Sequence, residues 1–493
     1  MAEALRLGAR RVAGLCVPAN TRFLLSVTGL NEEGLLLSER LTTWWAALES
    51  RRAVYLFLGL GLLLRVAALA AVGSAALGNE APGYYRMALA ILHDEDVSLY
   101  WPPGVPYYLY ACQRLLGEGI LVARASIIPL YVVFSIFLYR LARIIVSRRA
   151  ASLLVLIFAV YPPYVRYAFN PSTEYPAAAL LAGMLYFAIR AARTGKALFA
   201  IASGACGGAL TLVRPSCVLF LLAVPMYCYL LTKRVRLAVI PFLVGSIVVS
   251  IWLVKAHSLG GRWVFINESN AENLFFGNNP YTPLYRTWPE GQAEIGFPPG
   301  FRKQLDLIRN EPEEIRGRSY MQIALGHITS RPDLFLLRSV NRMRAYFGFP
   351  VHHGEPLKRF SILARPPWLV PFALTVLDLM FYWPLMVLAI LCVFSCLRAP
   401  VLDSPIAAIV AAAALYPLPY WISFSQPRFN FPVIPLLAVL AVKFLDFWAA
   451  RSASQSAGSM LESGSRRVGA FATLILFAYI QLEWIAVFYF KVW

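Results

Sequence analysis

Charge is what this sequence has least of. Only 14% of its 493 residues are Asp, Glu, Lys or Arg, against 59% hydrophobic, where a soluble chain carries about 25% charged residues. One water-facing core cannot hide that much apolar side chain, so part of the solvent is lipid, in line with a mean hydropathy of +0.61. Acids are scarcer than bases: 26 Asp and Glu stand against 45 Lys and Arg, a net charge of +19. Such an excess suggests nucleic acid at first. The bases, however, cluster in short segments between apolar stretches, as expected for loops held at an anionic cytoplasmic leaflet, so nucleic acid is set aside as a partner and membrane lipid is kept. The seven cysteines have no CxxC or metal-type spacing, and most lie in apolar segments where Cys acts as a small hydrophobe. A cleavable signal is not expected, because a long basic stretch precedes the first apolar run. Solenoid repeats are absent.

What the sequence does contain is a succession of long apolar runs. A helix needs about 20 apolar residues to cross the hydrocarbon core. On that basis we expect an all-α polytopic membrane protein with about eleven spans, and thirteen as the upper count. They fall near 53–77, 120–143, 150–168, 173–192, 197–213, 215–231, 236–256, 371–397, 404–423, 428–448 and 468–490. Arg51 and Arg52, Arg140 to Arg149, Arg190 to Lys196, Lys233 to Arg236, and Arg466 and Arg467 then share one side, which the positive-inside rule makes cytoplasmic, with the N-terminus. The division expected is a basic cytoplasmic segment 1–52, a transmembrane catalytic module 53–256, an extracytoplasmic loop domain 257–366 and a second transmembrane module 367–493. Within the loop, Asn310-Glu311-Pro312-Glu313 and Ser330-Arg331-Pro332-Asp333 read as capped helix starts. They predict two interfacial helices, near 311–329 and 331–347.

Ionisable residues at a membrane edge are costly and so are functional candidates by default. Four fall on the outer side: Glu80 after the first span, Glu174 at the head of the fourth, and Arg214 and Arg428 at two turns. Two acids and two bases at one aqueous boundary suit a site that binds phosphate and moves a proton. Plain roles stay open beside this one: Glu174 also suits the N-terminal dipole of a helix, and Arg428 also suits a snorkelling anchor. Arg65, Asp378 and Glu483 fall in or near apolar spans without a place in the site.

Two further segments stand out. Tyr100-Trp101-Pro102-Pro103-Gly104 predicts an irregular approach to the membrane with aromatic rings at headgroup level. The stretch Asn267 to Pro280 sets carboxamides, among them Asn273, Asn278 and Asn279, beside Phe275 and Phe276. Amides match sugar hydroxyls and rings cover sugar C–H faces, while Asn, Gly and Pro also favour ordinary turns. Asn267-Glu268-Ser269 is a formal glycosylation sequon.

Together these residues resemble the polyprenyl-phosphate-sugar-dependent glycosyltransferases of the GT-C class, with the nearest look to bacterial relatives of protein O-mannosyltransferases and lipid A aminoarabinose transferases. Glu80, Tyr84 and Ala88 fit the family's acid, aromatic and Ala spacing after the first span. Pro102-Pro103-Gly104, Glu174, Leu212-Val213-Arg214-Pro215, Gly277-Asn278-Asn279-Pro280 and Arg428-Phe429-Asn430-Phe431-Pro432 follow in family order over about 53–450. Two features depart from the pattern: Glu80 stands where the family usually has Asp, and a Lys that some relatives place before Pro-Pro is missing.

The resemblance implies a GT-C-type helix bundle and an inverting transfer from a polyprenyl-phosphate sugar to a hydroxyl of a lipid, glycan or protein. It places the chain in the bacterial inner membrane. Glu80 would be the general base, Glu174 its assistant or the acceptor's anchor, and Arg214 and Arg428 the phosphate ligands. Tyr84, Tyr85, Asn273, Asn278 and Asn279 would contact substrate. No nucleotide is needed, because activation is already stored in the phosphosugar bond, and two nearby carboxylates could take a divalent metal ion as cofactor. An inactive lipid-binding relative and a lipid or solute transporter are the alternatives; against the transporter, matching halves and midplane breaks are not seen.

Overall fold

The computed structural model describes residues 47–74, 76–78, 80–167, 170–284, 297–349, 369–396, 404–453 and 464–489. Most of the expected segment 1–52, Asn79 and parts of the 257–366 loop lie outside these residues. The regular elements described are all helical. Among the described residues, eight helical stretches are long and apolar enough to cross a membrane: Arg51–Val72, Ile120–Ala142, Glu174–Thr194, Pro215–Thr232, Val235–Gly260, Thr375–Ser395, Pro405–Ile422 and Gly464–Ala486. The protein is an all-α, multi-pass membrane bundle.

The other three expected spans coincide with helices that differ from a plain span. Ala197–Val213 is apolar but short. The tenth, expected from residue 428, starts as a helix only at Ile434 and runs to Ala453, because Pro427–Asn430 forms a 3-10 turn. The third, expected over 150–168, breaks into Arg148–Val160 and the five-residue Pro162–Arg166.

Pro162 and Pro163 cause that break, since neither has an N–H to offer. In an unbroken helix those two N–H groups would bond the carbonyls of Phe158 and Ala159. Arg65 supplies the donors instead. Its Nη2 donates to Phe158 O at 3.0 Å and its Nη1 to Ala159 O at 3.2 Å. It also bonds Tyr164 O, Gly61 O and the Tyr175 hydroxyl, and its guanidinium lies 3.6 Å from the Tyr131 ring centroid. This fully buried arginine is a carbonyl cap, and no carboxylate pairs with it among the described residues.

Glu174–Thr194 is the most enclosed of the spans and packs on both the Ile127–Ala142 and Ala197–Val213 helices. Ala197–Val213 in turn lies tightly on Val235–Gly260. A Cβ at Gly204 would meet Pro241 O at 2.5 Å, and one at Gly208 would meet Gly245 O at 2.7 Å. This is the small-residue packing by which membrane helices approach.

The loop region holds Pro299–Asn310, Glu313–Ser330 and Pro332–Tyr346. The last two match the expected interfacial pair to within two residues. The expected caps are not made: Asn310 ends the preceding helix, and Ser330 Oγ donates backwards to His327 O at 3.2 Å. The helices Pro299–Asn310, Ser269–Gly277, Ala81–Leu92 and Gly104–Leu116 are additional to those expected. The Pro-Pro-Gly segment is irregular only up to Pro103, and Pro106 is accommodated in the first turn of the last of these helices.

Candidate functional site

Glu80 is the residue on which the Ala81–Leu92 helix begins, with Pro82 in its first turn. Its carbonyl accepts from Gly83 N at 3.0 Å and Tyr84 N at 3.3 Å, which holds the carboxylate at the helix entrance. Trp101 packs beneath: its ring meets Tyr84 edge-on at 5.0 Å, and a side chain at Gly83 would overlap it. Gly104 lets the next helix start against the end of the Ala197–Val213 helix just before Arg214, since a Cβ there would lie 2.9 Å from Val213 N. The Pro-Pro-Gly segment thus sets Glu80 beside the Arg214 turn.

The two acids and two bases form two ion pairs at one end of the bundle. Arg428 donates to Glu80 through Nη2 and Oε1. Arg214 donates to Glu174 Oε1 at 3.0 Å, to Thr173 Oγ1 at 3.0 Å and to the Tyr420 hydroxyl at 2.9 Å. The Phe429 ring joins the pairs, with its centroid 5.8 Å from the Arg214 guanidinium and 5.3 Å from that of Arg428. The pairs differ in access. Side-chain exposure is 33% for Glu80 and 22% for Arg428, against 2% for Glu174 and 7% for Arg214. Glu174 Oε2 is buried without a hydrogen-bond partner among the described residues. An accessible carboxylate can exchange a proton with a substrate, whereas a buried one held by arginine fixes that arginine.

Tyr84 lies between the pairs. Its hydroxyl is pushed well above the ordinary phenol range by burial, then by Glu80 and Glu174, against the opposing pull of Arg214 and Arg428. It therefore stays a neutral donor or acceptor. Tyr85 does not join it. Neighbouring helix positions face different ways, and Tyr85 senses Glu118 instead.

The carboxamides of the Asn-Asn-Pro stretch act as a clasp. Asn278 donates to Leu274 O at 3.0 Å and Ile422 O at 2.9 Å, and accepts from Arg342 Nη2 at 3.0 Å. Asn279 donates to Phe275 O and accepts from Tyr281 N. Arg342, fully buried, also reaches Gly277 O, Trp421 O and Ile422 O. Gly277 admits no side chain, because a Cβ would overlap Ser423 O. These bonds fasten the loop to the 421–423 turn next to Tyr420, and so buttress Arg214. Asn273 is half-buried in the Ser269–Gly277 helix. The Asn267 sequon is folded away, with its Nδ2 bonded to Tyr100 O and Ser269 Oγ.

Beside the clasp, Tyr100, Glu268, Glu272, Glu313 and Arg316 line a small polar cavity. Burial, then the neighbouring Glu313 carboxyl, pushes Glu268 up to about 7 against Arg262 and Arg316. Among the described residues, no three His, Cys, Asp or Glu side chains converge on a metal position.

Of the ionisable residues left without a place, Asp378 lies 3.8 Å from Arg166, and Glu483 lies 3.3 Å from Arg344. Thr173, Tyr167, Arg166, Tyr420 and Phe429 are not among the expected site residues. The rule that flags Arg65 also applies to Arg166, a cation inside an apolar run. The Tyr167 hydroxyl interacts with Glu174, Arg428, Arg166 and Arg214.

With this geometry in place, similarity to known proteins adds one finding of weight. Residues 101–257 match the family model of dolichyl-phosphate-mannose-protein mannosyltransferase. That stretch, roughly a third of the chain, contains Glu174 and Arg214 but neither Glu80 nor Arg428. No curated protein is similar enough to count as a relative. Solved structures of the Archaeoglobus fulgidus oligosaccharyltransferase resemble the chain at low scores. Its complex with Zn and sulfate has a TM-score of 0.49 at 13% identity, covering 89% of this chain and 51% of that one. The archaeal oligosaccharyltransferase AglB from the same organism, with an inhibitory peptide and a dolichol-phosphate, has 0.46 at 14%, covering 87% and 55%. Scores this low do not by themselves establish a shared fold, and the chain spans about half the length of these proteins.

Proposed function

We propose that the protein is a membrane glycosyltransferase of GT-C type that moves a sugar from a polyprenyl-phosphate donor to an acceptor hydroxyl at the extracytoplasmic face. The observation that carries this reading is the convergence of an accessible Glu80–Arg428 pair and a buried Glu174–Arg214 pair around Tyr84 at one end of an apolar bundle. The mannosyltransferase match over 101–257 supports it. So does the basic bias of the alternate loops, which sets the N-terminus in the cytoplasm and the ion pairs outside.

In the step proposed, the acceptor oxygen attacks the anomeric carbon and its proton passes to Glu80. The anomeric C–O bond to phosphate breaks with inversion, and polyprenyl phosphate leaves as an anion. Arg428 shifts its charge from Glu80 towards that anion, which raises the basicity of the carboxylate as the leaving group forms. Arg214, fixed by Glu174, Thr173 and Tyr420, supplies a second cation whose position does not change. Glu does the work usual for Asp here with one more methylene, and Arg428 holds the longer side chain in place.

The test is sugar transfer by the purified protein in lipid, supplied with polyprenyl-phosphate sugars and membrane extract as acceptor source, comparing wild type with Glu80→Gln. Transfer in the wild type that falls by about 10²-fold or more in the folded variant is expected for loss of a general base. Equal transfer by both would remove Glu80 from the mechanism. Silence in both with lipid bound would favour the inactive relative. A chelator added to the same assay decides whether a divalent ion assists the carboxylates.

A further inference from the structure

The segment that leads into Glu268 is held under strain. Ile266 lies at φ +66° with its side chain fully buried, and Asn267 N donates to Phe265 O at 2.8 Å. That bond closes a γ-turn, which at positive φ is the rare, strained form, and a β-branched residue there is an outlier. Such strain persists only where the surroundings over-determine it. Here Trp252 Nε1 donates to Ile266 O at 2.7 Å, and the residues that follow reach across to the Tyr100 segment. Glu268 N donates to Leu99 O at 3.0 Å, Ser269 N to Tyr100 O at 3.4 Å and Asn267 Nδ2 to Tyr100 O at 3.1 Å.

The Glu268 side chain is 10% exposed. Its Oε1 accepts from Arg262, whereas Oε2 is buried without a hydrogen-bond partner among the described residues. Glu313, from the Glu313–Ser330 helix, lies within hydrogen-bond reach across the polar cavity, and two carboxyls bond each other only when one carries a proton. A proton on Glu268, donated to Glu313, satisfies the idle oxygen. The surrounding charge favours it. Arg262 and Arg316 face Glu268 from two sides, but Glu313, Glu272 and Glu314 already oppose them. Glu272 accepts from the Tyr100 hydroxyl, and Glu314 lies 3.7 Å from Arg262. Arg309 reaches this cavity through the Tyr320 hydroxyl. The same cluster connects to the ion-pair site. Tyr100 meets Trp101 edge-on at 4.9 Å, Trp101 in turn packs on Tyr84 and under Gly83, and the Tyr100 hydroxyl senses Glu80 as well as Glu272.

We infer that segment 262–268 is a proton-operated latch on the candidate site. With Glu268 protonated and bonded to Glu313, the latch holds the Tyr100–Trp101 segment beneath the helix that starts at Glu80. Ionisation of Glu268 breaks that bond, lets the turn at Ile266 relax and frees the segment. The bearing of the latch on sugar transfer rests on the proposed function; the latch itself does not. Glu268 is raised to about 7 in the fold, above an unfolded value near 4.3. The closed form therefore keeps the proton, and closure weakens as pH rises through about 7.

The experiment is hydrogen exchange of the full chain in lipid nanodiscs, without any sugar, corrected for the intrinsic rate at each pH. For a group with these two pKa values the opening constant rises about tenfold between about pH 6 and about pH 8. That rise is expected at the amides of Glu268 and Ser269, which bond the Tyr100 segment, and at those of Gly83 and Tyr84, which bond Glu80 O. Glu268→Gln stays neutral and offers Glu313 an N–H, so both pairs of amides should stay protected with no pH trend. Glu313→Gln offers an N–H to ionised Glu268 and should also flatten the trend. A wild type without the rise would overturn the proposal, as would a rise that survives in Glu268→Gln. A rise at Glu268 and Ser269 that never reaches Gly83 and Tyr84 would overturn the link to the site. If Glu268→Gln fails to fold, Glu313→Gln and the wild-type profile decide. Because no transfer is measured, a wild type that shows the rise but transfers no sugar would sink the proposed function and leave the latch standing.

Discussion

Replacing Arg65 with Met strips the carbonyl cap from the Pro162-Pro163 break while keeping an apolar side chain of similar reach. Phe158 O and Ala159 O then have no donor, since the prolines facing them carry no N–H. Each buried unsatisfied group costs about 1–3 kcal/mol, which gives about 2–6 kcal/mol for two. Two effects reduce this. Hydrogen bonds measured within membranes average nearer 0.6 kcal/mol, and removing a buried cation that no carboxylate among the described residues pairs recovers some desolvation energy. A net loss of about 2 kcal/mol is expected from these terms. It would be read as the shift of a reversible unfolding curve in mixed micelles. The sharper readout is rescue. Changing Pro162 and Pro163 to Ala restores both N–H groups, so the Ala pair should recover at least about 1 kcal/mol in the Arg65→Met background. In the wild-type background, where Arg65 already bonds those carbonyls, it should gain little. An Arg65→Met protein as stable as the wild type, or an Ala pair with the same effect in both backgrounds, would refute the capping account.

The remaining predictions concern the site and its clasp. Gly277→Ala drives a methyl into Ser423 O and should cost about 1–3 kcal/mol by overpacking, with a lowered thermal midpoint; an unchanged midpoint would disprove the clasp. Glu174→Ala leaves Arg214 buried without its anion and should cost about 3–5 kcal/mol. Glu80→Gln, in a partly exposed pair, should leave stability nearly unchanged, and equal losses for the two would contradict their different burial. Glu268 is raised to about 7 in the fold, above its unfolded value near 4.3. The native protein then binds the extra proton, so this contribution is complete below about pH 4 and is lost as pH rises through about 7. Hydrogen exchange at residues 313–317 should therefore quicken with pH beyond its intrinsic rate, and Glu268→Gln should flatten that trend.

The candidate site was legible in part because its residues break a local rule. Glu80, Glu174, Arg214 and Arg428 are charges at the ends of apolar runs, and cost alone singles them out. Arg166 breaks the same rule but sits inside a run that reads as one span, so its neighbouring prolines look like part of that span rather than its end. Asn278 and Asn279 were readable as sugar ligands because an amide's hydrogen-bonding capacity is the same whether it faces a ligand or a carbonyl. Only their neighbours, Arg342 and the 421–423 turn, assign them to the clasp. Tyr84 and Tyr85 look equivalent in sequence and separate only when the helix turns one towards the ion pairs and the other towards Glu118.

Composition by itself determined that the chain belongs in a bilayer, since no water-facing arrangement hides so much apolar surface. The order of apolar runs determined most of the long helices, since each of these follows from local length and hydropathy. Tertiary structure alone decided that Arg428 faces Glu80 across 348 residues of chain, that Arg214 faces Glu174, and that Arg65 takes carbonyls rather than a carboxylate. Pairing depends on which helix ends meet, and a linear pattern does not contain that information. Whether a charge is exposed enough to react, or so enclosed that it only holds its partner, depends in turn on everything packed around the pair.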